Sequence, residues 1–180
     1  MTNETFQSTI LCVDDEAGIL AVLERALKNE AARIITTTKP LEAIDIMKKE
    51  KIDLAILDIK MPDIDGLNLL SRLKEISPHS SYILLTAFGD KNSIQTALRI
   101  GIDDFIDKPF DNFYLKNKVK NLLSKKEYEY IISEVIELLI SNFSQLNLTH
   151  FSKLSFEEKS KNIHAIMEIV RLKILKKQNI

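Results

Sequence analysis

Asp14 and Asp15 stand side by side at the end of an apolar run, Ile10-Leu11-Cys12-Val13, just before a helical pattern begins. Adjacent like charges repel and raise each other's pKa, so such a pair calls for a positive partner. Other polar residues sit at the ends of comparable runs. "IDLAILD" (52–58) ends in Asp58, "SYILLT" (81–86) ends in Thr86, and "DDFID" (103–107) is followed by Lys108-Pro109. Three carboxylates suit a divalent cation. Mg2+ fits best, because it takes carboxylate, water and phosphate oxygens. His79, His150 and His164 are scattered along the chain and offer no zinc cluster. Beside a cation, Asp58 is a candidate nucleophile that attacks phosphorus and forms an acyl phosphate. Thr86 and Lys108 would bind the phosphoryl oxygens.

These residues meet only if the runs are parallel strands of one sheet. The first part of the chain alternates strand and helix patterns. Strands are expected at Thr9–Val13, Arg33–Thr37, 52–58, 81–86 and 103–107. Helices are expected at Gly18–Lys28, Pro40–Lys49, Leu67–Ile76, Asn92–Ile100 and from Asp111 to Ser124. The strands are continuous apolar runs, as in a sheet covered on both faces. The expected class is therefore α/β, a doubly wound, five-stranded parallel sheet. In such a sheet ligands bind outside the carboxyl ends of the strands, where the strand order reverses. Asp14, Asp15, Asp58, Thr86 and Lys108 all lie at carboxyl ends.

All four glycines and all four prolines fall within the first 109 residues. Gly and Pro punctuate turns, so the rest reads as uninterrupted helix. We divide the chain into a domain at 1–124 and a helical hairpin tail at 125–180. The first tail helix carries a wide apolar face with Ile131, Ile132, Val135, Ile136, Leu138, Leu139, Phe143 and Leu146. A second helix begins near Ser155, which forms a capping-box pattern with Glu158. A hairpin with so wide an apolar face must pack on the first domain or on another chain, so a homodimer is expected.

Of 180 residues, 25 are Lys or Arg and 26 are Asp or Glu, so the net charge of -1 gives no global attraction to nucleic acid or to anionic membrane. Cys12 is the single cysteine, and its place in a core strand makes it filler rather than a reactive thiol. No disulfide can form within the chain, no secretory signal is visible, and no apolar run is long enough to span a membrane. A soluble, cytoplasmic protein is expected.

Together the motifs resemble the receiver domain of two-component response regulators. The resemblance rests on "DD" at 14–15, "DIKMPDIDG" at 58–66, "TAF" at 86–88 and "KPF" at 108–110, and covers residues 8–124. It implies a flavodoxin-like receiver fold in which Asp58 accepts phosphate from a histidine kinase or a histidine phosphotransfer protein. It implies that Asp14, Asp15, Asp58 and the backbone carbonyl of Lys60 hold Mg2+. Thr86 and Phe105 would form the switch, Lys60 and Phe88 would tune the phosphoryl lifetime, and Lys108-Pro109 would be a cis peptide. The output would be a protein–protein contact and not multiple-turnover catalysis.

Other readings compete. Asp14-Asp15 alone would serve a helix macrodipole, and Phe105 could be packing only. His164 on a tail helix could be a phosphorylatable histidine, but on a single residue the ordinary surface histidine is the preferred reading. A transcription regulator with a nucleic-acid-binding tail is the alternative function. The tail from Lys125 has nine basic and seven acidic residues, a net of about +2, too little for the usual basic footprint. A phosphohydrolase of the haloacid-dehalogenase type would need a second carboxylate two residues after the nucleophile, where this chain has Lys60.

Overall fold

The computed structural model describes residues 8–87 and 91–145, with 153, 155–159, 161, 164 and 168 beyond them. Strands and helices alternate: β1 (Thr9–Val13), α1 (Ala17–Leu27), β2 (Arg33–Thr37), α2 (Pro40–Lys49), β3 (Leu54–Asp58), α3 (Gly66–Ile76), β4 (Ser81–Ala87), α4 (Lys91–Ile100), β5 (Asp104–Lys108) and α5 (Asn112–Gln145). The five strands form one parallel sheet in the order β2-β1-β3-β4-β5. This is the doubly wound order whose reversal lies between β1 and β3. Asp14 follows the first of these strands and Asp58 ends the second.

Strand alternation divides the core in two. Ile10, Cys12, Ile56, Ile83, Leu85 and Ile106 cluster with Leu20, Leu23 and Leu27 of α1 and Leu115, Val119 and Leu123 of α5. Leu11, Val13, Ala55, Leu57, Tyr82 and Leu84 cluster with Ala43 and Met47 of α2, Leu69, Leu70 and Leu73 of α3 and Ala97 of α4. Each Leu, Ile or Val side chain fully buried in this way contributes about 1.5–3 kcal/mol relative to exposure. With both faces covered, the strands can be apolar throughout.

Caps fix where the helices start. Asp65 precedes α3 and its Oδ1 accepts the Asn68 N–H at 2.8 Å. Asp111 precedes α5 and its Oδ1 accepts the N–H groups of Phe113 and Tyr114, each at 2.9 Å. Side-chain oxygens here satisfy amides that the helix leaves unpaired. Pro40 opens α2, where its missing N–H costs nothing. Gly101, at φ 96°, ends α4 in the left-handed conformation that glycine adopts freely.

Two strands start later than the apolar runs indicate, for one reason. The expected strand at 52–58 begins at Leu54, because the Asp53 carboxylate accepts the Thr9 N–H at 2.8 Å. The expected strand at 103–107 begins at Asp104, because the Asp103 carboxylate accepts the Tyr82 N–H at 2.9 Å. In both, a side chain takes the amide that a ladder carbonyl would otherwise take. At its other end β5 runs one residue past the expected 107, to Lys108, which pairs with Ala87 of β4.

The chain divides into two compact units, Phe6–Lys126 and a second that takes in Glu127–Ile180. Helix α5 has no break from Asn112 to Gln145. In the second unit, the Ser155 N–H donates to Glu158 Oε2 at 2.9 Å and the Glu158 N–H donates to Ser155 Oγ at 3.3 Å, the reciprocal pair of a capping box. Of the tail's apolar face, Ile131 is half-buried and Ile132 is 57% exposed. The other side chains assigned to that face lie outside what is described. Among the described residues no helix is long and apolar enough to cross a membrane.

Candidate functional site: an acidic pocket at the sheet's switch point

Asp14 is the innermost group. It is fully buried; its Oδ1 accepts the Glu16 N–H at 2.9 Å and its Oδ2 accepts from Lys108 Nζ at 2.7 Å. Asp15, next along the chain, is exposed. Both residues lie past the end of β1, in the turn that leads into α1. Asp58, at the end of β3, is buried and lies 2.6 Å from Lys108 Nζ through its Oδ1. Lys108, at the end of β5, thus reaches one carboxylate just past β1 and another at the end of β3.

The three carboxylates offer oxygen atoms that all lie within 4.8 Å of one another. A donor set made only of carboxylate oxygens, two of them buried, suits a hard divalent cation. Asp14, Asp15 and Asp58 are thus the residues that could hold a metal. Cys12 sits one residue from this cluster's strand end but is buried, and burial pushes its thiol up to about 12, so it offers no thiolate.

Burial also raises the pKa of Asp58. Its hydrogen bond and charge interaction with Lys108 and a backbone hydrogen bond from Lys60 act against that rise, and Asp14 adds to it. Burial alone would lower Lys108, but its bonds to Asp14 and Asp58 outweigh it and raise the lysine. The ammonium is therefore firmly protonated, and the pocket holds its own counter-charge.

The structure brings Asp14, Asp15, Asp58 and Lys108 together. The Thr86 hydroxyl is fully buried and donates to the Ala87 carbonyl oxygen at 3.1 Å. Phe105 is half-buried and packs against the cluster formed with α2, α3 and α4. The Lys60 side chain is exposed, and its backbone amide engages Asp58. The Lys108–Pro109 bond is cis. Phe88 lies outside the described residues. His164 is exposed and belongs to the second unit. The sequence reading did not single out Gly66 beyond its place in a turn. The sequence offers no sharper signal than the glycine that follows the cap Asp65 at the start of α3.

An acidic pocket with a lysine at the switch point of a doubly wound sheet defines an α/β domain that sets a carboxylate beside a cation. Residues 10–120 match the response regulator receiver domain, and the chain belongs to that family, the phosphoryl-transfer module of two-component signalling. It is 36% identical over 117 residues to sporulation initiation phosphotransferase F of Bacillus subtilis, covering 65% of this chain and 94% of that protein. It is 33% identical over 122 residues to the response regulator SaeR of Staphylococcus aureus, covering 67% of this chain and 53% of that longer relative. A receiver domain protein from Clostridium thermocellum superposes with a TM-score of 0.63 at 29% identity, over 67% of this chain and 98% of that one.

Proposed function

We propose that this protein is a phosphorylation-controlled switch in which Asp58 accepts a phosphoryl group from a phosphohistidine of a kinase or phosphotransfer protein. The observation that carries the reading is the Lys108 ammonium set between Asp14 and Asp58, at 2.7 and 2.6 Å, beside a third carboxylate. An Asp58 oxygen attacks phosphorus, the P–N bond to the donor imidazole breaks, and an acyl phosphate forms. Lys108, already held at Asp58, is placed to pair with the phosphoryl oxygens, and Thr86 would turn its hydroxyl to the same group. Asp14, Asp15, Asp58 and the Lys60 carbonyl would hold Mg2+, which when bound supplies charge neutralisation for the transfer. Phe105 would report the change, and Lys60 and Phe88 would set how long the acyl phosphate lasts. The product stays on the protein, so the switch is not a multiple-turnover enzyme.

The full chain, incubated with acetyl phosphate and Mg2+, is expected to gain one phosphoryl group. Mass spectrometry after borohydride trapping should place it on Asp58. Labelling elsewhere, or none in any Mg2+ concentration, would overturn the reading.

The tail is read as the output, pairing two copies of the chain. Tyr128 and Ile132 support this, one helical turn apart on α5 and 66% and 57% exposed. Light scattering with beryllofluoride and Mg2+, which mimic the acyl phosphate, is expected to give the mass of a dimer. A monomer both with and without the mimic would exclude tail pairing.

A further inference from the structure

Gly66 is the first residue of α3 and is buried against the backbone of the acceptor strand. Its N–H donates to the Ile59 carbonyl at 2.8 Å and closes the loop from Ile59 to Asp65 into a ring. A Cβ built on Gly66 would overlap the Asp58 carbonyl oxygen, and would lie 2.8 Å from Ile59 Cα and 2.9 Å from the Asp58 carbonyl carbon. All three are backbone atoms, so no side chain can swing away to make room. In glycine a hydrogen takes that direction and points at the Asp58 carbonyl, a Cα–H···O contact.

The helix behind this contact is fixed. Leu69, Leu70 and Leu73 are fully buried. At the far end, the Tyr82 hydroxyl contacts the Leu73 and Ser77 carbonyls at 2.9 and 2.8 Å. The Asp65 cap holds the near end. A side chain at Gly66 would therefore be accommodated mainly by moving the Asp58 backbone. The intervening loop is tense. Asp63 has φ 68°, and the Ile64 N–H donates to the Pro62 carbonyl at 2.8 Å across it, a γ-turn that few non-glycine residues adopt. Such a loop has little slack to absorb a shift.

We propose that Gly66 is a positioning residue for phosphoryl acceptance: the first turn of α3 is the backstop that sets the Asp58 backbone and, through it, the acceptor carboxylate and the Lys60 peptide. The proposal rests on Asp58 being the acceptor, as read above.

The test compares Gly66→Ala with Gly101→Ala in the full chain. Gly101 also sits where a side chain is strained, at φ 96°, but the nearest atom its Cβ would meet is the Lys74 ammonium nitrogen, at 3.2 Å. Both variants should lose stability. Only Gly66→Ala is expected to lower the maximal labelling rate at saturating acetyl phosphate and Mg2+, by about 10–100-fold, the usual effect of an ångström's misplacement. It should also weaken Mg2+ binding several-fold, read from amide shifts in a Mg2+ titration without phosphodonor. Equal rates and equal Mg2+ affinities in the two variants would overturn the proposal. Should Gly66→Ala fail to unfold cooperatively, Asp65→Ala loosens the same turn by removing its cap. It is then expected to lower rate and affinity in the same direction, and an unchanged pair would be the overturning result. Failure of wild type itself to label would sink the acceptor assignment and be seen first, while the Mg2+ titration would still decide the place of Gly66.

Discussion

Asp58→Asn is expected to abolish labelling by acetyl phosphate, a loss of at least about 100-fold, and at the same time to raise the melting temperature at neutral pH. The first effect follows because an amide oxygen is no nucleophile toward phosphorus under these conditions. The second follows from the electrostatics of the pocket. Burial is the largest influence on Asp58, and the net shift of its pKa is upward even with Lys108 beside it. A carboxylate whose folded pKa is raised binds its proton more tightly in the folded state. Its ionised form therefore costs stability at any pH above the raised value. That cost is relieved as pH falls from the raised value toward the ordinary 3.8. Asn carries no such cost, and Lys108 keeps its partner Asp14 at 2.7 Å. The gain should amount to roughly a few degrees. It should shrink as the comparison moves to acid pH, because wild type then sheds its own penalty. Paired thermal melts from pH 7 down to pH 4 check this. A variant less stable than wild type at pH 7 would mean that the Lys108 bond outweighs burial.

The acid pocket was legible because it depends on one regularity, that polar residues at the ends of apolar parallel strands meet at the switch point. Asp14, Asp58 and Lys108 come from three strands and meet as that rule requires. What the rule does not reach is geometry within the backbone. Asp53 and Asp103 read as strand residues, yet their carboxylates take the Thr9 and Tyr82 amides and delay two strands. An alternation pattern reports burial and is silent about which oxygen an amide will choose. Gly66 read as a turn glycine, whereas its importance lies in a close approach to Asp58 that no neighbour in sequence announces. Lys60 was noted for its side chain and its carbonyl; that its amide also bears on Asp58 had no signal in the sequence. The unbroken reach of α5 was foreshadowed by the lack of Gly and Pro after Pro109. What that helix pairs with depends on long-range packing, which periodicity cannot name.

Lys108→Met is expected to separate the structural and chemical roles of the lysine. Methionine keeps much of the stem and removes the charge. Asp14, with a fully buried side chain, and Asp58 then face each other without the ammonium that now lies between them. Removing one partner of a buried ion pair costs about 3–5 kcal/mol, and the lower end applies because the Lys108 side chain is 20% exposed. The pH dependence should steepen on the acid side without changing sign. In wild type the pair raises the lysine pKa, so its stabilisation is present below about pH 10.5, the ordinary lysine value, and is lost as pH rises through the folded value. In the variant nothing positive lowers the Asp58 pKa, so it climbs further. The variant should therefore be weakest at neutral pH and recover as pH falls and the carboxyl takes up its proton. Millimolar Mg2+ should raise its melting temperature more than it raises that of wild type, since the added cation no longer competes with an ammonium for the same oxygens. Labelling should nevertheless stay about 100-fold slow in saturating Mg2+, because the group that pairs with the phosphoryl oxygens is gone. Recovery of both stability and labelling on adding Mg2+ would reduce the lysine to a counter-charge. A variant as stable as wild type at pH 7 without Mg2+ would show that water, and not Lys108, bears the charge of the two acids.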